Sequence, residues 1–196
     1  MSGGIEAQTR QVFVRLQQAL ALAGCDSGDV PSPAERQQGE VAQGSVAANA
    51  VELRGEGLSA GSEAFYFAAG QAEVEAALGK ALGASLRSGE NAECGAGPIT
   101  FTDFAGGLTA HFQKGRLVGW NWHAPQDGDK PATSTVTLAG KVQVGSPRAE
   151  AEAASGFAKV EGSTLGEEFA LGQNVGGFIA GDKVEMLYAG TQCFFR

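Results

Sequence analysis

Histidine and cysteine are scarce in this chain: two histidines, His111 and His123, and three cysteines, Cys25, Cys94 and Cys193. Their spacing matches no zinc-ligand pattern, so no metal is expected. Basic clusters are missing as well. The 14 Lys and Arg residues are scattered singly against 22 Asp and Glu, for a net charge of −8. That excludes a phosphate-tracking surface, and no nucleic-acid partner is expected. No run approaches the roughly 18 apolar residues of a membrane span. No GxGxxG opens a βαβ unit, and Ser45, Ser163 and Thr164 lack a nucleophile-elbow context. A dinucleotide enzyme is thereby excluded, no catalytic residue emerges, and no cofactor is expected. What is abundant is glycine, 30 residues, which points to many turns, within a chain that is 43% hydrophobic and so able to build a core.

The first fifty residues differ from the rest. Val12–Gly24 reads VFVRLQQALALAG and ends at Cys25. Leu22-Ala23-Gly24-Cys25 reads as a lipobox, in which small residues admit a signal peptidase and the Cys thiol carries the lipid. Arg15, Gln17 and Gln18 interrupt the apolar core that a signal peptide needs. Residues 26–50 are rich in Ser, Gly, Pro, Gln and Glu, the composition of a flexible tether. The expected organisation is a signal-like segment (1–25), a linker (26–50) and a folded domain (51–196). Lipidation at Cys25 would leave two cysteines to pair. A Cys94–Cys193 disulfide would close a loop of about 100 residues and contribute roughly 4 kcal/mol in an oxidising compartment.

Within the domain the chain reads as two related halves, about 60–125 and 134–193. Ala64–Gly79 (AFYFAAGQAEVEAALG) aligns without a gap to Lys141–Gly156 (KVQVGSPRAEAEAASG). Each copy is an apolar alternation, a short Ala/Glu helix and a glycine. The first helix is expected over Gln71–Leu78, stopped by Gly79. In the second, Ser146 is the N-cap and Pro147 the first helical residue. Ile99–Phe104 alternates as a strand, and Gly107–Phe112 with Arg116–Trp122 makes a hairpin turning at Gln113-Lys114-Gly115. Thr135–Val144 alternates too, and Gly177–Ala180 pairs with Lys183–Tyr188 around Gly181-Asp182. Gly106-Gly107 and Gly176-Gly177 correspond as strand-entry turns. The expected fold is α+β: two tandem helix-plus-antiparallel-meander repeats forming one sheet, with helices on one face.

The helix ended by Leu-Gly and the hairpin LTAHFQKGRLVGW resemble BamE/SmpA-type and β-lactamase-inhibitor-protein-like tandem α+β folds. The residues Glu93–Pro98, Gly106–Thr109, Phe112, Gln113, Gly115, Gly119, Trp120, Cys193 and Arg196 resemble the ECGAGP…GGLT…FQ-G-GW signature of an uncharacterised exported or lipid-anchored family of Gram-negative bacteria. That resemblance implies the periplasmic side of the cell envelope and supplies no activity. Trp120, Trp122 and His123 form the candidate binding surface, since aromatic faces offer large contact area; the alternative is that the indoles cap the sheet core. His111 reads as an exposed strand residue, and Asp103, Glu167 and Glu168 as solvated carboxylates. The functional expectation is a non-enzymatic binding or scaffolding protein of the envelope. It would have another envelope protein as partner and touch the membrane only through its lipid. An inhibitor-like binder of an exported protein and an enzyme of unidentified type are the alternatives.

Overall fold

A computed structural model describes residues 50–124 and 135–194; Cys25 and the expected signal and linker segments lie outside the described residues. Among the described residues, twelve strands and two helices follow one another. A three-stranded meander comes first: β1 (Val51–Arg54), β2 (Gly57–Ala60) and β3 (Glu63–Tyr66). Helix α1 (Gln71–Leu82) precedes β4 (Arg87–Asn91), β5 (Ile99–Phe104), β6 (Leu108–Gln113) and β7 (Arg116–His123). After β8 (Val136–Leu138) and helix α2 (Arg148–Glu152) come β9 (Phe157–Lys159), β10 (Glu167–Leu171), β11 (Val175–Ala180) and β12 (Lys183–Gly190). They form an eight-stranded antiparallel sheet, β4-β5-β6-β7-β12-β11-β10-β9, and a separate four-stranded sheet, β3-β2-β1-β8.

This overturns the expected α+β fold of two tandem helix-plus-meander repeats. The domain is mostly β, built on two sheets, and its helices span only 12 and 5 residues. The two aligned windows also behave differently. Ala64–Tyr66 lies in β3, whereas Lys141–Val144 is irregular. The Gln143 side chain is the reason. Its Oε1 accepts from Leu138 N at 2.8 Å and its Nε2 donates to Leu138 O and Gly140 O at 3.0 Å, curling the chain just past β8. Gly106 and Gly107 sit in a turn at φ 84° and 79°, while Gly176 and Gly177 lie inside β11. Similar words in the sequence thus serve different backbone conformations.

The four-stranded sheet arises because β2 is buried throughout and β1 at alternate residues, Val51, Leu53, Leu58 and Ala60 being 5% exposed or less. β8 then adds in parallel beside β1, Val51 opposite Val136. Helix α1 buries Val74, Ala77, Leu78, Ala81 and Leu82 against β1, β2, β5 and β7. Burial of Ala81 and Leu82 carries the helix through Gly79, at a cost of about 1 kcal/mol relative to alanine. It ends instead at Gly83, whose N–H donates to Gly79 O. Pro147, rather than Ser146, is the N-cap of α2. The inner face of the large sheet carries Phe104, Leu108, Ala110, Phe112, Trp120, Leu187 and Phe169, all 2% exposed or less.

The other, outer face is crossed by the C-terminal segment. Thr191 N donates to Val118 O at 2.8 Å, and Gln192 Nε2 donates to Trp120 O and Ala189 O. Cys193 then bonds to Cys94, with Cα atoms 5.1 Å apart at a sequence separation of 99. The close crossing requires Gly119, where a Cβ would stand 2.5 Å from Thr191 O.

Candidate functional site

Of the three residues expected to form a binding surface, two face the interior. Trp120 is fully buried, and its Nε1–H is shared between Arg54 O and Gly57 O, both at 2.9 Å. Trp122 is 8% exposed and its Nε1–H donates to Gly106 O at 3.0 Å. The indoles therefore tie the large sheet to the β1–β2 hairpin and to the turn before β6. Only His123 points to the outer face, half-buried, with Nδ1 2.9 Å from Ala124 O. Its register partner on β12 is Met186.

His111 is not exposed, as its strand pattern suggested, but 8% accessible. The tail covers it: Nδ1 lies 3.2 Å from Thr191 O, and Nε2 lies 3.2 Å from Asn121 Nδ2. These partners assign a neutral ring that donates from Nδ1 and accepts at Nε2. Burial pushes its pKa below the ordinary value; the bond to Thr191 O and the charge of Asp103 oppose that shift without cancelling it. Asp103 is engaged as well, accepting from Arg87 Nε and Thr109 Oγ1, both at 2.8 Å.

Glu168 is likewise no solvated loop acid. It is 2% exposed on β10 and accepts from the Tyr188 hydroxyl. Tyr188 stands over Gly176, where any Cβ would overlap its ring. The ring also belongs to an aromatic triad. Phe178 and Phe194 lie 5.4 Å apart edge to face, and Tyr188 lies 5.0 Å from Phe194 and 5.7 Å from Phe178. Phe194 follows Cys193 directly, so the disulfide places one ring of the triad.

Beside the triad lies a groove of about 370 Å³. Phe178, Met186 and Phe194 line it, Leu165 and Ile179 add apolar surface, and Glu167 and Glu185 are its acidic members. Glu185 is there because of a β-bulge. Phe178 pairs with Met186 but the next residue, Ile179, pairs with Val184, leaving Glu185 as the extra residue. The bulge breaks strand alternation, so the carboxylate and the neighbouring thioether both line the groove. Glu167 is held from the other side: Arg148 donates NH1 to Oε1 at 3.0 Å and NH2 to Oε2 at 2.6 Å. The hydrogen bonds from Arg148 hold the Glu167 carboxyl below its ordinary pKa, and Glu167 in turn raises that of Arg148. Arg148 also reaches Asp182 at 3.4 Å, tying α2 to the β11–β12 turn.

Sequence reasoning missed this groove because its two signals are non-local. The bulge depends on strand register, and the Phe194 wall depends on the disulfide. Among the described residues no group of three His, Cys, Asp or Glu side chains is arranged to hold a metal. Nor is any helix there long and apolar enough to cross a membrane, a test that does not address β-barrels. The disulfide is consistent with an extracytoplasmic location. No known protein family, curated protein or solved structure matches the chain.

Proposed function

We propose that this domain is a non-enzymatic binding module of the cell envelope. In this reading it is held at the membrane by a lipid on Cys25 and receives another envelope protein at the outer-face groove. One observation carries the reading: an open apolar groove whose wall, Phe194, is set by a disulfide-anchored tail. A hydrophobic groove ringed by aromatic and thioether side chains is the surface type that anchors partner side chains. A disulfide that holds the wall in place lowers the ordering cost of binding.

The test is site-specific photo-crosslinking in the natively expressed protein. A photoreactive residue replacing Met186 is expected to give one discrete adduct with an envelope protein. The same residue replacing Leu86, a 45% exposed side chain elsewhere, is expected to give none. The Cys193→Ser variant, which frees the tail, is expected to lose the adduct. Equal labelling from both positions, or no adduct from position 186, would remove the groove as the binding site.

A further inference from the structure

Resting on that binding-module reading, we infer that the groove selects a lysine or arginine side chain flanked by apolar residues, presented on an extended segment of the partner. Charge complementarity carries the choice. The groove's walls are apolar, yet its two ionisable members, Glu167 and Glu185, are both acidic. The roles of the two acids differ. Glu167 is occupied by Arg148 in a two-bond pair. Glu185 is exposed, and among the described residues it has no ion-pair partner. It stands at the bulge, beside Met186.

An aliphatic stem ending in a cation meets both halves of this environment. Its methylenes lie along Phe178 and Met186, as long basic side chains do on apolar surfaces. Its charge is offered Glu185 beside the Phe178 and Phe194 rings that line the groove, and cations over aromatic rings gain from the ring quadrupole. The Met186 thioether adapts its shape to neighbouring apolar residues of the segment. An acidic segment would meet carboxylates at close range, and like-charge juxtaposition is the usual means of rejecting wrong partners. The chain's net charge of −8 steers a basic partner toward the surface in the same sense.

The chain contains two methionines, Met1 and Met186, so methyl-labelled methionine reports on the groove almost alone. The full disulfide-bonded protein is titrated with acetyl-Leu-Lys-Leu-amide, acetyl-Leu-Glu-Leu-amide and hexylamine at about 0.15 M salt. The lysine peptide is expected to move the Met186 methyl signal saturably and to bind at least about tenfold more tightly than the glutamate peptide. Glu185→Gln, a surface change that leaves the core intact, is expected to erase most of that preference while apolar binding persists. Three results would overturn the assignment: equal binding of the two peptides, an unchanged preference in Glu185→Gln, or a Met186 signal that no peptide moves. Hexylamine matching the lysine peptide would overturn the partner segment in favour of a small amine. A discrete crosslink from position 186 together with charge-indifferent peptides would sink the cation assignment and leave the binding module standing.

Discussion

At the residue scale the most informative side chain is His111, because its protonation opposes its packing. The neutral ring satisfies both nitrogens, one on Thr191 O and one on the Asn121 amide. A second proton would set an N–H against the Asn121 N–H and charge a buried ring. Its folded pKa is lowered from 6.5. The stability it contributes is therefore complete above about pH 6.5, falls as pH drops below that value, and levels off below the folded pKa. His111→Gln is expected to flatten the stability profile across that window, read as urea midpoints from pH 7 to 5; an unchanged slope would refute the buried neutral ring. Trp120 makes a second case. Trp120→Phe keeps most of the apolar bulk but removes the only donor to Arg54 O and Gly57 O that the indole supplies. A loss of about 1–3 kcal/mol is expected in equilibrium unfolding, with Trp122 left as the sole tryptophan reporter.

At the element scale the C-terminal segment does more than its four described residues suggest. It bonds to β7, covers His111, closes the disulfide and supplies a wall of the groove. Cys193→Ser is expected to lower stability by ~4–5 kcal/mol in the chain-entropy account of a loop this long. Reductant is expected to match the effect in the parent protein and to add nothing in the variant, as read by denaturant titration. Gly176→Ala tests the same region from beneath. An added Cβ displaces Tyr188 from its place against Glu168 and Phe194, and overpacking of this kind costs about 1–3 kcal/mol. The elements legible in the sequence were those whose cause is local. The hairpin of β6 and β7 shows alternation, and Gly115 turns it at φ 70°. Pairing over long distance was not legible. β8 joins β1 across 85 residues, Val51 against Val136, and although Thr135–Val144 alternates, alternation alone names no partner strand. The same limit misplaced the site. Trp120 and Trp122 resembled a platform, but the β1–β2 hairpin holds the first indole and the turn before β6 holds the second, both facing the interior, and Glu185 became visible only through its bulge.

At the scale of the whole molecule, compartment and fold are linked through sulfur. The disulfide fastens the loop between β4 and β5 to the end of the chain, so the outer face is complete only where thiols are oxidised. In a reducing cytosol the same chain would lack the constraint, and with it the placement of Phe194 beside Phe178 and Tyr188. An exported domain held near a membrane needs both that oxidising environment and a tether. The proposed tether is Cys25, followed by a polar segment whose composition keeps a domain free of the surface. Lipid attachment there would have a further consequence: it would consume one of the three thiols, so that the other two would have no competitor for each other. Scrambled pairs, which three free cysteines would permit, would thereby be removed. Intact mass of the natively expressed protein tests this linkage in one experiment. The expected species begins at Cys25, carries added lipid mass, offers no thiol to an alkylating reagent, and offers two after reduction. A full-length chain with three alkylatable thiols would separate the disulfide from the natural state of the protein. The groove would then lose its wall, and with it the structural basis for a binding role in the envelope.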